Sequence, residues 1–143
     1  MTCQTTFDGG IHQRDVATAS LATAITTLTA GAMPLVPTIG AMTPLGLALD
    51  EVLIAKAAAA QAVFAFQHSV MCFATSGDSA SAHKATANAS EAVKAMAATG
   101  NAESAIRAAM AACVFVFPTA AASVTTAIAE AGTAVAACQA IAP

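Results

Sequence analysis

An all-helical fold is predicted for this chain, built of alanine-rich hairpins or a bundle around one long helix, and three observations predict it. Roughly three residues in ten are alanine. In the first apolar run Leu21, Ile25 and Leu28 recur at mixed three- and four-residue steps, the spacing of one helix face. Glycine and proline fall between the apolar runs, where they stop helices. At 143 residues the chain has the length of one domain, so residues 1–143 are read as a single all-helical unit in which residues 1–14 form a flexible or irregular segment.

The first helix is expected from about Asp15 to Ala30, on Val16, Leu21, Ile25 and Leu28, with Gly31 and Pro34 ending it. Pro34, Pro37 and Gly40 make residues 31–43 a bent connector. The second helix, about residues 44–75, is the best defined. Thr43 suits an N-cap, Pro44 takes the first helical position, and Ser76, Gly77 and Asp78 end the run. At 1.5 Å per residue it spans about 48 Å. Ser79 or Ser81 is expected to cap a third helix that stops at Thr99 and Gly100, with Glu91 and Lys94 neighbours on its surface. Asn101 and Glu103 open a fourth, from Ala102 to about Phe117, which Pro118 interrupts. Helical composition resumes from Thr119 to Ile141, where Gly132 divides or loosens it.

Composition bounds the function. Charged residues make up 9% of the chain, against about 25% in ordinary domains. Small apolar side chains bury little surface each, so a stable isolated monomer is not expected. Alanine does let helix backbones approach closely, and association between chains would supply the missing burial. A net charge of -3, without a basic cluster, argues against nucleic acid as a partner. The opening MTCQTTFDGG has no positive and apolar leader pattern, which with widely spaced cysteines points to a reduced, cytoplasmic setting. Three stretches lack charge, Val16 to Leu49, Ala57 to Gly77 and Ala108 to Ala129, and each is long enough to cross a bilayer. Their proline, threonine, serine and alanine content gives little insertion energy, and no aromatic belt or basic cluster marks an interface.

Candidate chemistry is sparse. His12, His68 and His83 have no ligand-spaced partners, and Cys3, Cys72, Cys113 and Cys138 form no CxxC pair, so no metal site, cofactor or catalytic residue is expected. Cysteines in this setting are read as small hydrophobes. His68 and Cys72, four residues apart, put an imidazole and a thiol on one helix face. Asp50 and Glu51 form the only adjacent acidic pair, with Lys56 within two turns. If assembly buried them against another chain, desolvation would raise their pKa values and make the assembly respond to acid, so Asp50 and Glu51 are the candidate pH-sensitive positions.

The stretch TPLGLALDEVLIAKAAAAQAVFAFQHSVMCFATSGDSAS resembles the central segment of the R-body (Reb) proteins, the RebB-type killing-trait family. It shares a Leu-Gly motif at Leu45-Gly46, an apolar helix through Gln61 and Gln67, and a serine-flanked Asp78. The preceding AGAMPLVPTIG resembles the family's small-residue and proline bend. The likeness runs from about Ala30 to Ser81. Asp50 and Glu51 stand where an amide and a small residue are common in the family, and alanines replace its glutamine run. The resemblance implies a toxin-related structural subunit of a cytoplasmic coiled ribbon that extends on acidification and breaches membranes.

From residues and resemblance together, a self-assembling structural protein is expected, with copies of itself or homologous subunits as partners and neither enzymatic activity nor a small-molecule substrate. A membrane-active helical protein of holin or pore type is the first alternative, and a ligand- or metal-binding bundle using the His68 and Cys72 face is the second.

Overall fold

The computed structural model describes residues 2–115 and 119–143. Among them are four long α-helices and no strand: α1 (Cys3–Thr27), α2 (Met42–Thr75), α3 (Ser79–Phe115) and α4 (Ala120–Ala140). Each helix packs along the next, and α1 closes against α4. Cys3 at the start of α1 is bonded to Cys72 near the end of α2, Lys56 of α2 reaches Glu103 of α3, and Asn101 of α3 reaches Glu130 of α4. Successive helices are therefore antiparallel, in an up-and-down bundle.

The interior is a set of seams with alternating three- and four-residue steps, the pattern that keeps one line of side chains facing its partners. On α2 the line is Leu45, Ala48, Val52, Ala55, Ala59, Ala62, Phe66, Ser69 and Phe73, all buried. On α3 it is Ala85, Asn88, Ala92, Ala95, Thr99, Ala102, Ile106, Ala109 and Cys113. On α4 it is Ala120, Val124, Ala127, Ala131, Ala134 and Cys138. Most of these positions are alanine, so the four helices approach closely, and the few large side chains gather where there is room. Phe7, Phe66 and Phe73 form an edge-on cluster at the disulfide end, with ring centroids 5.3 and 6.4 Å from Phe7. Buried side-chain nitrogen and oxygen atoms all have hydrogen-bond partners among the described residues. Asn88 clamps the tail by accepting from the Ala142 amide at 3.0 Å and donating to its carbonyl at 2.8 Å. Arg14, at a seam position of α1, donates to the Ile141 carbonyl at 2.8 Å, just past the end of α4 where helix carbonyls lack partners.

Several expected boundaries move, each for a packing reason. Residues 1–14 do not form an irregular segment, because α1 begins at Cys3. Thr2 caps it by accepting from the Thr5 amide, and Phe7 and Gly10 are buried in the seam. A Cβ on Gly10 would stand 2.7 Å from the fully buried Phe66 ring, whereas one on the exposed Gly9 would meet nothing. The expected third and fourth helices are one. Gly100 stops nothing, since Thr99 and Ala102 on either side continue the seam and their burial outweighs a glycine cost of about 1 kcal/mol. Gly132 likewise lies inside an unbroken α4. The expected end at Phe117 and break at Pro118 fall outside the described residues. Neither Ser79 nor Ser81 caps α3. The Asp78 carboxylate does so, accepting from the Ser81 amide at 3.1 Å; hydrogen bonding from the Ser81 side chain first, and from that amide second, lowers its pKa. Gly77 sits at φ 83 in the turn before it, a conformation that glycine adopts without strain. The bend at 31–43 is present as short π and 3-10 turns with a cis peptide at Val36-Pro37. It delivers the chain into α2 at Met42, so Thr43 lies inside the helix and is not its cap.

The cysteine expectation also needs correction. Cys3 and Cys72 are not separate small hydrophobes but a disulfide with Cα atoms 5.5 Å apart, because the antiparallel α1–α2 hairpin brings positions 69 residues distant to the same level. Cys113 and Cys138 are free, buried seam residues, and burial pushes both thiols up in pKa.

Three stability outcomes follow from this structure. Gly9→Ala is expected to stabilise the protein by up to about 1 kcal/mol through helix propensity. Gly10→Ala is expected to destabilise it by about 1–3 kcal/mol through overpacking against Phe66, with thermal melts of the two variants distinguishing the signs. Reducing the disulfide, or Cys3→Ser, is expected to lower unfolding free energy by about 3–4 kcal/mol for a loop of this length, measured in urea with and without reductant.

Candidate functional site: the outer face of α2

The outward line of each helix lies about two residues round from its seam. On α3 it carries the exposed Ala87, Ser90, Lys94, Ala97, Asn101 and Ser104, small or polar, before it reaches Phe115 at the helix end, exposed by 66%, with Val93 and Val114 exposed beside it; on α4 it carries Ala122, Thr126, Ala129, Thr133 and Ala136, all exposed and all small or polar. α2 differs. Its outward line includes Leu47, Ile54, Phe64 and Met71, exposed by 57%, 49%, 68% and 71%, with Leu53 beside them at 37%. α2 therefore has two large apolar faces, one turned to its own bundle and one to the outside. These large apolar side chains stand along one exposed line, with Asp50, Ala57, Gln61 and His68 between them.

The predicted acidic pair is divided by the helix. Asp50 lies on the outward line and is exposed, whereas Glu51 turns toward a flank and is half-buried. Neither makes an ion pair among the described residues. Lys56 does not serve them; it bonds Glu103 of α3 at 3.0 Å, and Arg107 bonds the other oxygen of the same carboxylate at 3.1 Å. Lys56 first, and Arg107 second, hold the Glu103 carboxyl below its ordinary pKa. Glu91 and Lys94 pair at 2.9 Å as the spacing suggests.

His68 and Cys72 share a face, as expected from their spacing, but the thiol is consumed by the disulfide. The two residues line an open depression of about 530 Å³ together with Cys3, Met71, Thr75 and Ser76. The His68 ring stacks on Phe64 at 5.7 Å and 21°, making a flat platform on the outward line. His83 contacts the Ser79 carbonyl of its own helix. No group of three or more His, Cys, Asp or Glu side chains among the described residues is placed to hold a metal. Two helical stretches, Cys3–Leu35 and Ala120–Ala140, are long and apolar enough to cross a membrane. Their apolarity comes with buried seam positions, as in any bundle helix.

Sequence reasoning missed the α2 outer face, although its signal was present. Leu47, Ile54, Phe64 and Met71 repeat the three-and-four spacing two residues out of step with Leu45, Val52, Phe66 and Phe73, so one helix carries two apolar lines. For the ion pairs, stabilisation by a lowered carboxyl pKa is present above the ordinary glutamate value of 4.5 and is lost as pH falls through the lower folded value. Glu103→Gln is expected to cost about 1 kcal/mol or less at pH 7, as partly exposed pairs do, and the difference from wild type should vanish in melts below that range. Comparison with protein families, curated proteins and solved structures finds no match to this chain.

Proposed function

We propose that this chain is a structural subunit that associates with copies of itself. The observation that carries this reading is the outer face of α2, where large apolar side chains are exposed on a bundle whose own core is mostly alanine. Burying that face between chains would remove apolar surface from water at roughly 25 cal/mol per Å², a contribution the small-residue interior lacks. The resemblance of residues 30–81 to R-body proteins supports a ribbon as the form of the polymer, and Asp50, where this chain departs from that family, lies on the associating face.

A membrane-active role is the second reading, favoured by the two helical stretches long and apolar enough to cross a bilayer. Negative-stain electron microscopy of the protein alone, without detergent, at neutral pH and near pH 5, separates the two. Ordered filaments or ribbons are expected, and a change of form between the two pH values would support acid sensing. Discrete monomers at both would overturn the structural reading and leave the membrane reading, tested by dye release from liposomes, in its place.

A further inference from the structure

Leu47, Asp50, Ile54, Ala57, Gln61, Phe64, His68 and Met71 of α2 are exposed on one line whose steps are three and four residues, so a second helix could seat along it as a coiled-coil partner. The charge pattern on that line selects the partner and its direction. Asp50 lies near one end and His68 near the other, both exposed. A parallel second copy would set Asp50 against Asp50. An antiparallel copy whose twofold axis crosses at position 59 sets Asp50 opposite His68, and does so twice. The same register pairs Leu47 with Met71 and Ile54 with Phe64, also twice each. Ala57 faces Gln61 on either side of the axis, and Ala60 lies close to it. Sliding the partner by one heptad in either direction leaves Leu47 or Met71 beyond the end of the line and separates the carboxylate from the imidazole.

We infer that a second copy of this chain docks antiparallel along the outer face of α2, held in register by reciprocal Asp50–His68 contacts and by Leu47–Met71 and Ile54–Phe64 packing. The inference rests on the self-association proposed above and adds its surface, direction and register. The contact runs over about 36 Å, from Leu47 to Met71 at 1.5 Å per residue. The imidazole N–H donates to the partner carboxylate, and its stacking on Phe64 holds the ring in place before the second chain arrives. Because each pair occurs twice across the axis, one substitution alters two contacts, and its effect on association is doubled.

Sedimentation velocity of the full, disulfide-intact chain over a concentration series tests this. Wild type is expected to form dimers or larger species. His68→Asp, which puts four carboxylates into two facing pairs, is expected to weaken association at least tenfold with helix content by circular dichroism unchanged, since the residue is exposed. Asp50→Lys with His68→Asp reverses the pair and is expected to restore association. Phe64→Asp should abolish it. Wild-type-like association of His68→Asp, or failure of the double variant to recover, overturns the register while leaving self-association standing. Monomeric wild type at every concentration overturns both, and flotation of those monomers with neutral-lipid vesicles would identify a bilayer as the occupant of the face.

Discussion

Close approach of four helices along seams of alanine is the constraint on which the rest of this structure depends. Alanine at seam positions brings backbones together and makes dispersion contacts dense, but each side chain removes little surface from water. The bundle therefore concentrates its large residues. Phe7, Phe66 and Phe73 fill the end where the disulfide lies, while Leu21, Leu28, Leu45, Val52, Ile106 and Val124 are spaced along the remainder. Close packing also explains why Gly10 faces Phe66: a ring of that size between two tightly packed helices requires the opposite position to have no side chain. With so little apolar area per position, direct links matter more. Arg14 and Asn88 hold the tail, Lys56 and Arg107 converge on Glu103, and Cys3 is bonded to Cys72.

The same composition decided what could be read in advance. Helix class was legible throughout, and the end of α2 was legible because Gly77 and Asp78 are local signals whose chemistry needs no partner. The fusion of the expected third and fourth helices was not. Gly100 and Asn101 carry the local marks of a stop, and only the buried line through Thr99, Ala102 and Ile106 overrides them. That line is hard to see in a sequence where alanine fills outward positions such as Ala87 and Ala97 as readily as inward ones such as Ala92 and Ala95. The start of α1 was obscured in a similar way, because paired glycines read as a loop until Phe66 is known to occupy the space above Gly10.

In the candidate site, the sequence pairs Asp50 with Glu51 and sets Lys56 near both, and the helix separates all three. Asp50 lies on the outward line, whereas its neighbour Glu51 is rotated off it by the helix, and Lys56 points to Glu103. The Cys72 thiol four residues from His68 is taken up in the bond to Cys3. The lasting association of His68 is with Phe64, one turn earlier. Four residues of spacing put two groups on one face, but which neighbour a side chain engages is settled by what the rest of the chain brings against it.

The disulfide also determines how this chain transmits tension. A pull between the two termini enters at Cys3 and passes directly through the covalent bridge to Cys72, so the intervening loop, with nearly all of α1 and α2, carries none of the load. At about 3.5 Å per extended residue, more than 200 Å of contour is withheld in this way. Only the segment after Cys72 can be drawn out, and α3 and α4 would peel away from a hairpin that stays closed. A filament of such subunits would be extensible through half of each bundle and stiff through the other, and α2, with both of its apolar faces, belongs to the stiff half.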